Sequence, residues 1–169
     1  VQAHLHRELD TQLDGRAPTP ADLRELPTLD AIVRESLRLY PPQYLLFREP
    51  ATAVTLGGYR VDPGTIVVLP PWVLHRDERF WTAPDEFRPD RWLDADGGRA
   101  DSERPEYAYV PYGGGPRHCL GARLADQLLR LVVAVVCQRR RLDLVGTLSV
   151  SAGPTLSLAE GLDAQTHRR

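Results

Sequence analysis

Apolar residues recur along the chain with two different periods, and the switches between them lay out its elements. Val1, Leu5 and Leu9 fall every four residues, which predicts a helix over residues 1–13, ended by Asp14-Gly15. Thr19-Pro20 predicts a short helix reaching Leu26, with threonine as cap and proline in the first turn. From Thr28 to Tyr40, Leu29, Ile32, Val33, Leu37 and Tyr40 share one side of a longer helix, and Pro41-Pro42 stops it. The pattern then shortens. Ala53–Leu56 and Tyr59–Val61 flank Gly57-Gly58, a hairpin signal, and Thr65–Leu69 predicts a further strand. Trp72–His75 reads as one helical turn. Asp77 to Arg104 has no period and is rich in Pro, Asp, Gly and aromatics; a loop of that length needs an anchor to be ordered. Leu120 to Val136 is a long apolar helix, and Leu142–Val145, Leu148–Val150 and Thr155–Leu158 read as short strands. Asp163 to Arg169 reads as a frayed tail.

These elements predict a mainly α chain with small β-sheets, an α+β class. Composition changes this picture little. At 169 residues, with 42% hydrophobic and 26% charged residues, the chain has room for a real core. A net charge of −2 gives no sign of nucleic-acid binding, and no stretch resembles a transmembrane segment or signal peptide. Two cysteines make no disulfide framework, so reduced thiols and a cytoplasmic setting are expected. All 21 basic residues are arginine, and methionine is absent. The excess of Arg, Ala and Pro points to a GC-rich bacterial genome. The missing initiator methionine suggests a fragment, a processed chain or an alternative start.

The chemistry concentrates in Tyr109-Val110-Pro111-Tyr112-Gly113-Gly114-Gly115-Pro116-Arg117-His118-Cys119-Leu120-Gly121. Glycines permit tight turns and a close backbone approach. Cys119 stands where the long helix begins, and free amides with the positive end of the dipole favour an anionic sulfur there. A lone cysteine is most often a small buried hydrophobe, but the glycine-rich approach and Arg117 argue otherwise here. Structural zinc wants about four Cys or His ligands in paired spacings, and no CxxC exists. A phosphate loop lacks its Lys-Ser/Thr. A cysteine nucleophile with a histidine base stays open. So does a thiolate ligand to haem iron, with Arg117 facing a propionate.

Glu35 and Arg38 are three apart and share a helix face. Alone they read as an exposed ion pair of small value. If Arg91, in Phe87-Arg88-Pro89-Asp90-Arg91-Trp92, reached Glu35, a buried Arg–Glu–Arg network would staple the irregular segment to the helix. Arg48 reads either as a surface charge or as a second anion clamp. His75-Arg76-Asp77 reads first as a surface loop, and Cys137 as packing. Arg139-Arg140-Arg141 reads as a solvated helix end.

Tyr112-Gly113-Gly114-Gly115-Pro116-Arg117-His118-Cys119-Leu120-Gly121 closely resembles the haem-binding loop of cytochromes P450. Glu35-Ser36-Leu37-Arg38 resembles that family's ExxR helix, and Pro89-Asp90-Arg91-Trp92 its meander motif, in the family's order. The resemblance implies one partial P450 domain over residues 1–169, corresponding to the C-terminal part of that fold, with the N-terminal half expected to precede Val1. It implies haem b, with Cys119 as the thiolate ligand to iron. Arg117 and Arg48 would pair with propionates, with His75 or His118 assisting. Tyr112, Gly113, Gly115 and Gly121 would line the loop's approach to the porphyrin, and Glu35, Arg38 and Arg91 would form the structural triad. No catalytic residue is identified in the chain itself. The implied function is a monooxygenase inserting one oxygen atom of O2 into a small apolar substrate, with Leu45, Leu46 and Phe47 as an apolar wall. Electrons would come from a ferredoxin or flavodoxin-type donor with its NAD(P)H reductase, and Arg123 and Arg130 would suit an acidic partner. The alternatives are a haem-binding relic without activity, or a haem-thiolate peroxygenase or isomerase. Three departures stand out. Tyr112 and Trp92 occupy positions where phenylalanine is common, and Asp90 one where glutamate is. The last two read as conservative, whereas the Tyr112 hydroxyl is expected to alter the environment of the sulfur.

Overall fold

The computed structural model describes residues 1–99 and 104–169. The first helix, α1 (Gln2–Leu13), buries Leu5, Leu9 and Leu13, the every-fourth-residue stripe, and ends at Asp14 in the left-handed conformation. Instead of a helix reaching Leu26, a 3-10 turn forms at Asp22–Glu25. The Asp22 carboxylate folds back to accept from the Thr19 amide and hydroxyl, both at 2.7 Å, which closes a local turn.

The second helix, α2 (Pro27–Leu39), begins with proline in its first turn, and no neighbouring side chain caps it. Its cap comes from α1. The Glu8 carboxylate accepts the Thr28 and Leu29 amides at 2.6 and 3.0 Å, satisfying donors that a helix start leaves unpaired. The helix closes at Tyr40, before Pro41.

Further along the chain lie the strands β1 (Leu46–Arg48), β2 (Val54–Leu56), β3 (Tyr59–Val61) and β4 (Val67–Leu69), the short helix α3 (Pro71–Leu74), and the long helix α4 (Ala122–Arg139). The strands β5 (Arg140–Val145), β6 (Val150–Ala152), β7 (Leu156–Leu158) and β8 (Asp163–Arg168) follow. Among the described residues the strands pair antiparallel in twos: β1 with β4, β2 with β3, β5 with β8, and β6 with β7. The mainly helical architecture with small sheets is the α+β class that the sequence predicts.

Other elements also differ from the sequence reading, among them β6, which forms over Val150–Ala152 where Leu148–Val150 was expected. β1 was not expected; it exists because β4 offers its edge, with Phe47 opposite Val68. The tail is a strand, not frayed. β8 runs beside β5 with Leu142 opposite Thr166, and Arg169 ties it down through Asp10 at 2.6 Å and the Cys137 carbonyl at 2.9 Å. Every side chain of β8 is exposed, so no apolar alternation announced it.

The core is a helical layer. Leu5, Leu9 and Leu13 of α1 pack with Leu29, Val33 and Leu37 of α2 and Ala134 of α4, together with Leu23 and Leu26. Burying a leucine of this kind contributes about 1.5–3 kcal/mol. A second cluster joins Ala31 of α2 to Trp81 and Trp92, with Tyr109 packed against it. The opposite face of α4 is bare, with Leu124, Leu128 and Val132 at 63%, 51% and 58% exposure. Among the described residues no helix is long and apolar enough to cross a membrane.

Candidate functional site

The site is organised by Glu35, which is fully buried on α2. Its Oε1 accepts from Arg38 Nη2 (2.9 Å), Arg91 Nε (3.1 Å) and the Arg88 amide (2.9 Å). Its Oε2 accepts from Arg38 Nε and the Trp92 indole, both at 2.9 Å. Burial works to raise the Glu35 pKa, but hydrogen bonds from Arg38, Arg88 and Trp92 outweigh it and hold the carboxyl below its ordinary value. Arg38 is itself fully buried and also donates to the carbonyls of His75 (2.7 Å), Pro84 (2.6 Å) and Glu86 (3.1 Å). Arg91 reaches the carbonyls of Thr82 and Ala83. Arg38 therefore bridges α2 to the backbone of the irregular segment, and Arg91 ties that backbone to Glu35, which anchors a stretch with little regular structure.

Trp92 is not equivalent to the phenylalanine it replaces. Its indole N–H is one of the Glu35 donors, and a phenyl ring has none. The sequence reading of this position as a conservative change is corrected on that ground.

Sequence reasoning missed a second carboxylate hub. Asp30, 1% exposed, lies within ion-pair distance of Arg34 Nε (3.0 Å), Arg99 Nε (3.2 Å) and Arg130 Nη2 (2.5 Å). It ties α2 to α4 and to the irregular segment. The Asp30–Arg34 spacing was the only local signal, because the other partners lie far along the chain. Arg130 also pairs with Asp126 at 2.8 Å and is largely buried. Its expected availability to an acidic partner protein is corrected accordingly, whereas Arg123 is exposed.

The cysteine loop leaves the second cluster at Tyr109, whose hydroxyl donates to the Arg34 carbonyl at 3.1 Å. The Gly113 amide donates to the Val110 carbonyl at 3.0 Å, and the Cys119 amide to the Tyr112 carbonyl at 2.9 Å. Gly113 and Gly115 take φ of +76° and +63°, in the left-handed region that side chains resist. A 3-10 turn at Gly115–Arg117 leads to Cys119, whose carbonyl accepts the Ala122 amide as α4 begins. Cys119 is exposed, and Leu120 beside it is 103% exposed. A Cβ built on Gly121 would stand 4.0 Å from the sulfur.

The loop divides two clefts. A cavity of about 520 Å3 is lined by Gly114 and Val110 of the loop, by Leu46, Leu69 and Val73, and by Arg48. Cys119 does not line it. A second cleft of about 350 Å3 has Tyr112, Gly113 and His118 on the loop side, facing Asp126 and Arg130. His118 thus lies on a different cleft from Arg48, with its ring 6.4 Å from that of Tyr112. Arg48 is exposed, and among the described residues its guanidinium donates to its neighbour's carbonyl, that of Phe47, at 2.8 Å. Arg117 is exposed and forms no ion pair among the described residues. Burial raises the Tyr112 hydroxyl pKa, with Asp126 pushing in the same direction.

His75 corrects an expectation. It is fully buried, its Nδ1 lies 3.1 Å from the Arg38 carbonyl, and its Nε2 accepts the Val110 amide at 2.8 Å. Both ring nitrogens are committed to backbone groups, so His75 has none left for a propionate. Burial lowers its pKa first, the bond to Arg38 opposes that, and the charges of Arg38 and Arg76 lower it further, to about 4.

Because the folded pKa lies below the unfolded value of about 6.5, the unfolded state binds the extra proton in between. This contribution is fully present above about pH 6.5 and is lost as pH falls toward 4. Lowering pH from 7 to 5 should therefore remove about 2 kcal/mol through this residue. Urea unfolding of the wild type and His75→Gln at both pH values measures it. Equal pH dependence in the two would show that the imidazole is not held neutral.

The positive-φ glycines give a second expected outcome. Gly113→Ala and Gly115→Ala should each cost about 1–2 kcal/mol from backbone strain. Gly114 has φ −156°, an extended value that alanine accepts. There the new Cβ would stand 2.9 Å from the Tyr107 ring, which is exposed and can swing aside. Gly114→Ala should thus cost less than either neighbour in urea titrations, and the reverse ranking would contradict this backbone.

These residues fit the haem that the sequence resemblance implies. The donor set has one accessible thiol, exposed arginines at Arg48 and Arg117, and an apolar wall at Leu46, Leu69 and Val73. Comparison with known proteins extends the match beyond the motifs. The family model "Cytochrome P450" covers residues 1–151. Cyclooctatin synthase of Streptomyces melanosporofaciens is 38% identical over 161 residues, 95% of this chain and 34% of that protein. Lithocholate 6-beta-hydroxylase of Mesocricetus auratus is 40% identical over 139 residues, 82% of this chain and 27% of that protein. Cytochrome P450 3A13 of Mus musculus is 41% identical over 137 residues, 80% and 26% of the two chains. The chain spans about a third or less of the length of these relatives. With the family model matching most of its residues, the chain belongs to the cytochrome P450 family.

Proposed function

We propose that this chain is the iron-holding part of a haem-thiolate monooxygenase, with haem b as its cofactor and Cys119 as the residue that would hold the iron through its thiolate. The observation that carries the reading is the exposed Cys119 on a loop whose backbone is fixed at both ends. When bound, a thiolate-ligated haem supplies dioxygen activation with electrons from a donor, and one oxygen atom enters the substrate.

The chain's own residues bind and orient. Arg48 and Arg117 would hold the propionates, since a guanidinium fork suits a carboxylate. Gly113, Gly115 and Gly121 would allow the loop backbone to approach the group closely. Glu35, Arg38 and Arg91 hold the irregular segment against α2, and His118 is left to the loop's other cleft. Residues 1–169 form, in this reading, one partial P450 domain.

The substrate would be small and apolar, with Leu46 and Phe47 as part of its wall. One relative carries hydroxylation of lithocholate in its name. A ferredoxin or flavodoxin-type donor is the proposed electron source, with exposed Arg123 as one contact. The free cysteines suit the reducing cytoplasm.

The test is a carbon monoxide difference spectrum of the polypeptide at its encoded length, after haem addition and reduction. A strong thiolate-type Soret band is expected there, and at most a weak one for the 169-residue chain by itself. No such band at either length would overturn the haem assignment and favour a relic without cofactor.

A further inference from the structure

We propose that His75 is a positioning residue for the thiolate loop, a neutral imidazole that joins helix α2 to the loop's entry through Arg38 and Val110.

The tautomer follows from the partners. The Arg38 carbonyl can only accept, so Nδ1 carries the proton at 3.1 Å. The Val110 amide can only donate, so Nε2 is bare and accepts at 2.8 Å. Arg38 and His75 are tied twice, because the Arg38 guanidinium also donates to the His75 carbonyl at 2.7 Å. The His75 ring lies 5.3 Å from the Tyr109 ring, so packing and hydrogen bonding fix it together.

These bonds form part of one path. Glu35 holds the Arg38 side chain, Arg38 holds His75 through its carbonyl, and His75 holds Val110. The Val110 carbonyl then takes the Gly113 amide, and the Tyr112 carbonyl takes the Cys119 amide. A shift of Val110 away from α2 would carry the turn at Gly113 with it, and so change where Cys119 presents its sulfur. His75 is also fully buried, so an unpaired nitrogen there has no water to turn to. This gives the histidine beside Arg76 a task at the cysteine loop without any contact to haem.

Three variants separate positioning from space-filling. Glutamine places its amide oxygen near the Nε2 position and keeps the acceptor for Val110. Asparagine places its amide nitrogen near the Nδ1 position and keeps only the donor to Arg38. Phenylalanine keeps the ring and neither bond. The first readout is hydrogen exchange at the Val110 amide in the 169-residue chain, which needs no haem. His75→Asn and His75→Phe should speed it about tenfold, the loss of one buried hydrogen bond, while His75→Gln stays near wild type. The second readout rests on the haem-thiolate reading. It is the fraction of thiolate-type Soret band in the reduced carbon monoxide complex of the loaded polypeptide at its encoded length, expected to fall in the same order.

His75→Phe matching wild type in exchange would overturn the proposal, as would His75→Asn matching His75→Gln. A wild type that shows no thiolate band would sink the haem reading and leave the exchange ranking to decide the role of His75.

Discussion

Glu35→Ala should lower the unfolding free energy by about 3–5 kcal/mol, because it strands buried arginine charge. The carboxylate is the acceptor for Arg38, Arg91, the Trp92 indole and the Arg88 amide. Removing it leaves Arg38, which is fully buried, with its charge uncompensated. The surviving bonds from Arg38 to three backbone carbonyls do not cancel that charge. Exchanging a whole buried pair for apolar residues can be neutral, but deleting one partner is not. Glu35→Gln should be milder, since one amide oxygen still accepts while its NH2 group faces donors. Urea unfolding of the chain, followed by fluorescence of the buried Trp81 and Trp92, reads both variants. A loss below about 1 kcal/mol for Glu35→Ala, in the range of an exposed pair, would refute the hub.

Cys119→Ala should abolish the thiolate-type Soret band of the haem-loaded polypeptide while leaving the fold almost untouched. Cys119 is exposed, so its truncation should change stability by no more than about 0.5 kcal/mol. Its structural bond is made by the backbone amide to Tyr112, which alanine keeps. The other cysteine is the control. Cys137 packs against the helical core, and burial pushes its thiol pKa up, toward the form that ligates metals poorly. Cys137→Ser should therefore leave the band in place. A band that survives Cys119→Ala but disappears in Cys137→Ser would reassign the ligand. A Cys119→Ala variant that unfolds would show that the residue serves packing.

The helices α1 and α2 were legible because each buries a stripe at regular spacing, and their boundaries fall within a residue or two of those marked by Gly15 and Pro41. The hairpin of β2 and β3 was legible from Gly57-Gly58. The strands β1 and β8 were not, because short or wholly exposed strands owe their existence to a partner edge, which local sequence does not record. At the site, the short-range pair Glu35 and Arg38 could be read from spacing, and Arg91 only as a conditional reach. The Trp92 donor and the Asp30 hub depend on residues that come together only after the irregular segment folds back. His75 was misread for a related reason. A histidine beside two charged residues looks like a surface group, and only the fold shows that both nitrogens are spoken for.

The cap that Glu8 supplies to α2 has a consequence for the order of events in folding. The helix that carries Glu35 and Arg38 has no side-chain cap of its own at its start. A short isolated helix pays a steep nucleation penalty, and here relief arrives from a residue twenty positions upstream. The ends of α1 and α2 should therefore gain and lose their order as one cooperative unit. The hub for the irregular segment can then be in place only after that unit has assembled. A disturbance at Glu8, on the outer edge of the layer, would be felt as delayed maturation of the cysteine loop, which it never touches.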